Sequence, residues 1–200
     1  MTDDTANAIQ TLASREIYRN RWLALREDHI RRPDGSEGLY SVVEKTDFVV
    51  VVPLHADGSL TLVRQHRHPI GRQSWEFPMG AWEQTPDAAK LDVAHGELRE
   101  ETGLTAERMT HAGRLAEAAG YCDQWYDIYL AEGLQQHDPQ RETEEADMIC
   151  RKVTLPELET MILSGEIIDA ATVASLCLLR LRGLLGATVV GEDKARGSAP

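Results

Sequence analysis

Glu97, Glu100 and Glu101 stand at i, i+3 and i+4 in the stretch Gly96-Glu97-Leu98-Arg99-Glu100-Glu101-Thr102-Gly103-Leu104. On a helix this spacing stacks three carboxylates on one face. Leu91, Ala94 and Leu98 fall on another face and supply an apolar stripe. Gly103 follows as a left-handed C-terminal residue would. Three acids near a helix C-terminus repel one another and oppose the helix dipole. A solvated acidic face is the ordinary reading of such a helix. A bound divalent cation removes the electrostatic objection, because hard cations take carboxylate oxygens.

The segment Trp75-Glu76-Phe77-Pro78-Met79-Gly80 precedes this helix. Together the two resemble the nudix box: a glycine, a loop, then Arg-Glu-apolar-x-Glu-Glu-x-Gly-apolar. Glu97 to Leu104 matches every prescribed position. The first half departs from the pattern, since the loop between Gly80 and Glu97 is two residues longer than the family's. Glu83 and Asp87 lie off the register of the family's intermediate glutamate. The family's arginine falls on Gly96. In nudix enzymes that arginine orients a catalytic glutamate, so its loss implies a weakened box unless His95 or Arg99 stands in. Gly96 also costs up to about 1 kcal/mol of helix stability relative to alanine.

The chain has 200 residues and a formal net charge of −12. Its length suits one domain, or one with a small appendage. The charge argues against nucleic acid or an anionic membrane as partner. It does not argue against a phosphorylated substrate, because a metal reverses the local sign. Cys122, Cys150 and Cys177 are widely spaced and form no CxxC pair, which reads as structural thiols in a reducing compartment. No apolar run is long enough to span a bilayer, and Met1-Thr2-Asp3-Asp4 lacks the start of a signal peptide. The expected location is the cytoplasm.

Along the chain, residues 1–13 read as loose. Arg15 to Val43 read as antiparallel strands around a Pro33-Asp34-Gly35 turn. Phe48 to Leu54 is a continuous apolar run, consistent with a strand buried on both faces. Ala56-Asp57-Gly58-Ser59 predicts a hairpin turn, with Leu60 to Gln65 returning as the partner strand. Thr85-Pro86-Asp87 resembles a helix start, with Ala89 or Lys90 as the later alternative. A strand is predicted over 106–115 and another at Trp125 to Ala131. Thr154-Leu155-Pro156-Glu157 predicts a capping-box helix to Leu163. Asp169 caps a last helix, with Val173, Leu176, Cys177 and Leu181 as its apolar face.

Further segments resemble the ADP-ribose pyrophosphatase branch of the nudix family. They are Arg19-Asn20-Arg21-Trp22, Tyr40-Ser41-Val42-Val43, Gln65-His66-Arg67 with Trp75-Glu76-Phe77-Pro78, and Gly165 to Ala174. The resemblance implies an α/β nudix-type α/β/α sandwich with a mixed sheet. It divides the chain into a β appendage at 1–45 that helps form a homodimer, a nudix domain at 46–185 and a disordered tail at 186–200. The implied metal set is Gly80, Glu97, Glu100 and Glu101, with Mg2+ or alternatively Mn2+. Arg67 is either a substrate-phosphate contact or a surface ion-pair partner. Glu76 is a metal or substrate contact or an edge-strand charge. Tyr121 stacks on a base or packs inward. The loop after Gly120 departs from the branch at Ala119 and Gln124. In the acidic stretch 142–147, Glu144 and Glu145 are the candidates for a further metal ligand or general base, with Glu145 preferred.

The implied activity is metal-dependent hydrolysis of a nucleoside diphosphate linked to another moiety. ADP-ribose, a related nucleotide sugar or a dinucleotide cofactor would serve, giving a nucleoside monophosphate and a sugar phosphate. The partner is thus a small nucleotide. The alternatives are a weakly catalytic nucleotide sensor, another nudix chemistry such as isoprenyl diphosphate isomerisation, and a non-catalytic protein with a solvated acidic helix.

Overall fold

In a computed structural model of the chain, residues 8–137 and 148–186 are described. The N-terminal part is an antiparallel sheet of β1 (Gln10–Arg19), β2 (Ala24–Arg31) and β3 (Glu37–Glu44) in that order. The expected loose N-terminus therefore gives way to strand at Gln10, because ladder pairing from Gln10 to Arg31 orders a segment that its own polarity would leave free.

The rest of the chain forms two sheets between helices. One is antiparallel, with β10 (Ile149–Val153), β5 (Leu60–Arg67) and β6 (Arg72–Glu76) in that order. The other is mixed, in the order β7 (Met79–Gly80), β4 (Phe48–Pro53), β9 (Trp125–Gln136) and β8 (Leu104–Ala116). Within it, β4 runs parallel to β9. The helices are α1 (Lys90–Thr102), α2 (Leu155–Leu163) and α3 (Ala170–Leu181).

The valine run of β4 explains the layering. Successive side chains point to opposite faces of a strand. Val49 and Val51 join Val93, Ala94 and Leu98 of α1 in one apolar cluster. Val50 and Val52 join Phe77, Leu158 of α2 and Leu179 of α3 in the other. A strand buried on both faces needs no polar alternation, and this one has none.

The predicted hairpin is corrected. The turn at Gly58 is present, with the His55 amide donating to Ser59 O. Yet β5 does not return along β4. The two touch through one isolated Leu54–Leu60 bridge, and β5 pairs with β6 and β10 instead. The edges of β4 are taken by β9 and β7, so the chain crosses to a second sheet.

Helix α1 starts at Lys90, with Ala89 as N-cap. Thr85 and Pro86 belong instead to a turn, in which the Thr85 amide donates to Trp82 O (3.0 Å) and the Ala88 amide to Thr85 O (2.9 Å). The two extra loop residues are thus used ahead of the helix. Leu91 is exposed and Val93 takes its place in the core. The predicted face of α3 is also rotated. Leu176 is buried, but Leu181 is 80% exposed, Val173 and Cys177 are exposed, and Thr172, Ser175 and Leu179 face the core. The buried polar Thr172 is held by the Phe77 amide, which donates to its Oγ1 (3.0 Å). None of the three cysteines is in a disulfide. Among the described residues no helix is long and apolar enough to cross a membrane.

The N-terminal sheet is tied to the rest through the 120–124 loop. Amides exchange between β3 and this loop: Val43 N–H donates to Tyr121 O (2.8 Å) and Asp123 N–H to Val43 O (3.1 Å). The Tyr40 hydroxyl donates to Gly120 O (2.6 Å) and Gln124 Nε2 to Thr46 O (2.6 Å).

Candidate active site

The site forms where Gln65 and Arg67 of β5, Ser74 of β6 and Gly80 of β7 come beside α1. Two adjoining hollows of about 440 and 470 Å3 share Trp22, Arg67, Gly80, Ala81 and Glu83 as walls, making one groove. Glu97 and Glu100 line the larger hollow together with Arg21 and Trp82.

The three box glutamates sit on one side of α1, as their spacing requires. Glu101 is 1% exposed and Glu97 is buried, while Glu100 is half-buried. Glu101 Oε2 accepts the Met79 amide (3.2 Å). The Glu97 carboxylate lies against Gly80. A Cβ on Gly80 would stand 2.6 Å from Glu97 Cδ and 2.7 Å from Oε1, and would overlap Oε2. A bare backbone at position 80 is therefore a condition for this packing. Helix α1 closes at Gly103, in the left-handed region at φ 73, where its amide donates to Arg99 O (2.9 Å).

Arg67 and Glu76 are brought together. Arg67 Nε donates to both Glu76 oxygens (3.0 and 3.1 Å) and Nη2 donates to Oε2 (2.5 Å). Glu76 is 0% exposed, so the fork of Arg67 is aimed by a fully buried carboxylate. Burial pushes the Glu76 carboxyl above its ordinary range, against the pull of Arg67. Burial works to lower the Arg67 value, but the hydrogen bonds and charge of Glu76 more than offset it and hold the guanidinium above its usual value. Arg67 is thus an ion-pair partner, but of a buried carboxylate rather than a surface one, and its side chain lines both hollows.

The remaining expectations divide. Tyr121 is 61% exposed, so it does not pack inward, and it is absent from the walls of both hollows. Glu144 and Glu145 lie outside the described residues. Four further groove residues carry no site role in the sequence reading. Lys45, Glu117, Gln124 and Asp169 line the smaller hollow. Asp169 was legible as a helix cap, and its carboxylate does accept the Thr172 amide (2.7 Å). Glu117 and Lys45 carried no local signal. Desolvation, then the charge of Asp169, raises the Glu117 carboxyl above its ordinary value. Tyr126, which stacks on Phe48 with ring centres 5.0 Å apart, is pushed up to about 12 by burial first and then by Glu117 and Asp169. On the larger hollow, the Arg21 guanidinium lies 4.0 Å from the centre of the Trp22 ring.

The donor set suits a hard divalent cation. The groups are carboxylate oxygens on one helix face, beside a backbone kept bare at Gly80. Among the described residues no three acidic, histidine or cysteine side chains already stand together as an ion cage. The fit therefore rests on donor chemistry and on the Gly80–Glu97 contact.

Comparison with known proteins agrees with this geometry. The NUDIX domain matches residues 45–175, and the nucleoside diphosphate sugar hydrolase N-terminal domain matches residues 9–43. The chain belongs to the NUDIX family of hydrolases. It is 33% identical over 168 residues to an ADP-ribose pyrophosphatase of Mycobacterium tuberculosis, covering 84% of this chain and 81% of that protein. It is 28% identical over 179 residues to an ADP-ribose pyrophosphatase of Bacillus subtilis, covering 89% and 96%. A methanol dehydrogenase activator of Bacillus methanolicus is also 28% identical, covering 88% and 95%. The fold matches a crystal structure of an ADP compounds hydrolase with a TM-score of 0.75 at 21% identity, covering 88% and 95%.

Proposed function

We propose that this NUDIX pyrophosphohydrolase cleaves the phosphoanhydride of ADP-ribose or a related nucleotide sugar, releasing a nucleoside monophosphate and a sugar phosphate. The observation that carries the reading is the groove itself. It sets Glu97 against bare Gly80, with Glu100 and Arg67 among its walls. The names of the two ADP-ribose pyrophosphatase relatives support the choice of substrate.

A diphosphate repels an attacking nucleophile through its own charge. The guanidinium of Arg67, its Nε–Nη2 edge held by Glu76, offsets part of that charge and leaves its Nη1 side to donate to phosphate oxygens. Glu97, Glu100 and Glu101 are the residues that would hold Mg2+, with Mn2+ as the alternative. A metal held there would supply charge neutralisation at the phosphate and would lower the pKa of water. A carboxylate takes the proton as water attacks phosphorus in line, and we assign this to Glu145 or Glu144. Glu117 and Asp169 sit in the adjoining hollow, where they face the part of the substrate beyond the diphosphate.

We further read residues 1–45 as an appendage that makes a homodimer and 46–185 as the catalytic unit, in a cytoplasmic enzyme. Exposed apolar side chains on the N-terminal sheet support the dimer: Leu12, Ile17, Tyr18 and Leu39.

The test is turnover of nucleotide sugars, dinucleotides and nucleoside triphosphates with Mg2+. Glu100→Gln and Glu101→Gln should each lower turnover at least ~100-fold, the range seen when charge stabilisation is lost at a reacting centre. Near-normal rates in both variants, with unchanged melting temperature, would overturn the metal assignment.

A further inference from the structure

Position 96 holds glycine in the middle of a helix, directly before Glu97. It is not there for its dihedral freedom, because Gly96 is not among the residues with positive φ. It is there for space. A Cβ at 96 would overlap Trp82 Cζ2 and stand 3.1 and 3.3 Å from Cε2 and Cη2. Those atoms belong to a rigid ring, so no small side-chain adjustment relieves the overlap. Trp82 in turn packs on the cluster of Val49, Val51, Val93, Ala94 and Leu98.

Two close approaches therefore run side by side. Gly80 meets the Glu97 carboxylate, and Trp82, two residues on, meets the backbone of Gly96. The turn formed by the lengthened loop begins at the same residue, with the Thr85 amide donating to Trp82 O (3.0 Å). Trp82 also lines the hollow that contains Glu97 and Glu100.

We propose that Trp82 is a positioning residue, seated in the notch of Gly96, that clamps the Gly80–Trp82 segment to α1 and so sets the Glu97 carboxylate for metal. The large ring and the absent side chain form a matched pair. The ring occupies the space that any side chain at position 96 would need. The metal half of this inference rests on the proposed function; the packing half does not.

The test uses Gly96→Ala, Trp82→Ala and the double variant, with melting temperature and Mn2+ affinity by paramagnetic resonance as readouts. Gly→Ala inside a helix ordinarily stabilises. Here Gly96→Ala should lower the melting temperature and weaken Mn2+ binding about 10-fold, because the indole is evicted. On the Trp82→Ala background the same change should raise the melting temperature. Trp82→Ala alone should weaken Mn2+ binding about 10-fold, and Trp82→Phe should restore part of it. Where Trp82→Ala does not yield folded protein, Trp82→Leu replaces it with the same sign reversal expected. A rise in melting temperature on both backgrounds, or unchanged Mn2+ affinity in the Trp82 variants, overturns the proposal. If no nucleotide is hydrolysed, the sign reversal still reads the pair independently of the substrate assignment.

Discussion

Strands β1 and β4 carry apolar residues to opposite ends of the burial scale. All ten residues of β1 are exposed, including Leu12, Ile17 and Tyr18. In β4 five of six residues are buried, and Val49 to Val52 are each 0% exposed. The difference lies in what covers them. Val49 and Val51 meet α1, while Val50 and Val52 meet the layer of α2 and α3. The strand β1 has a ladder to β2 along one edge and buries none of its ten residues. The contrast teaches that β4 meets its hydrophobic demand within one chain, whereas β1 does not, although its neighbour β2 buries Ala24 and Ile30.

The comparison breaks most sharply with a charge. Val51→Asp places an unpaired carboxylate in a closed cluster and should cost more than about 4 kcal/mol, seen as loss of the cooperative melt. The same change at Ile17 should move the stability of the subunit by no more than about 0.5 kcal/mol, as surface substitutions do. It should instead convert dimer to monomer by light scattering. A dimer that survives Ile17→Asp and Tyr18→Asp together would show that β1 is not the seam.

A smaller effect sharpens the β4 side. Tyr126 pairs with Phe48 at the start of β4 and is 3% exposed. Burial, then Glu117 and Asp169, raise its pKa from 10.0 to about 12. The unfolded chain ionises this phenol first. Its contribution is therefore whole below about pH 10 and is lost as the pH rises through 12, at most about 2–3 kcal/mol. Melting curves from pH 8 to 12 should show an alkaline fall that Tyr126→Phe flattens. An equal fall in the variant would place the sensitivity elsewhere.

Much of the site was legible because it is local. The acid spacing on α1, its stop at Gly103 and the double burial of β4 are each written within a few residues. The caps at Thr154 and Asp169 were equally plain, and both side chains accept the amides expected of them. The failures share one cause. Hydrophobicity alone favours Val173 and Cys177 for the buried face of α3, whereas the contact with Phe77 selects Thr172. The partners of β4 are β7 and β9 rather than β5, because a turn signal does not say which sheet the next strand joins.

By itself the sequence determined the helix that gathers Glu97, Glu100 and Glu101, the buried strand under it and the family to which both belong. Periodicity and capping act over a turn or two, so one chain states them without its fold. Only the tertiary structure decided that Glu76 aims Arg67, that Glu117 and Asp169 share a groove, and that Trp82 fills the space above Gly96. Each of those depends on which surfaces meet across the fold, and close packing between distant segments leaves no mark in either segment alone.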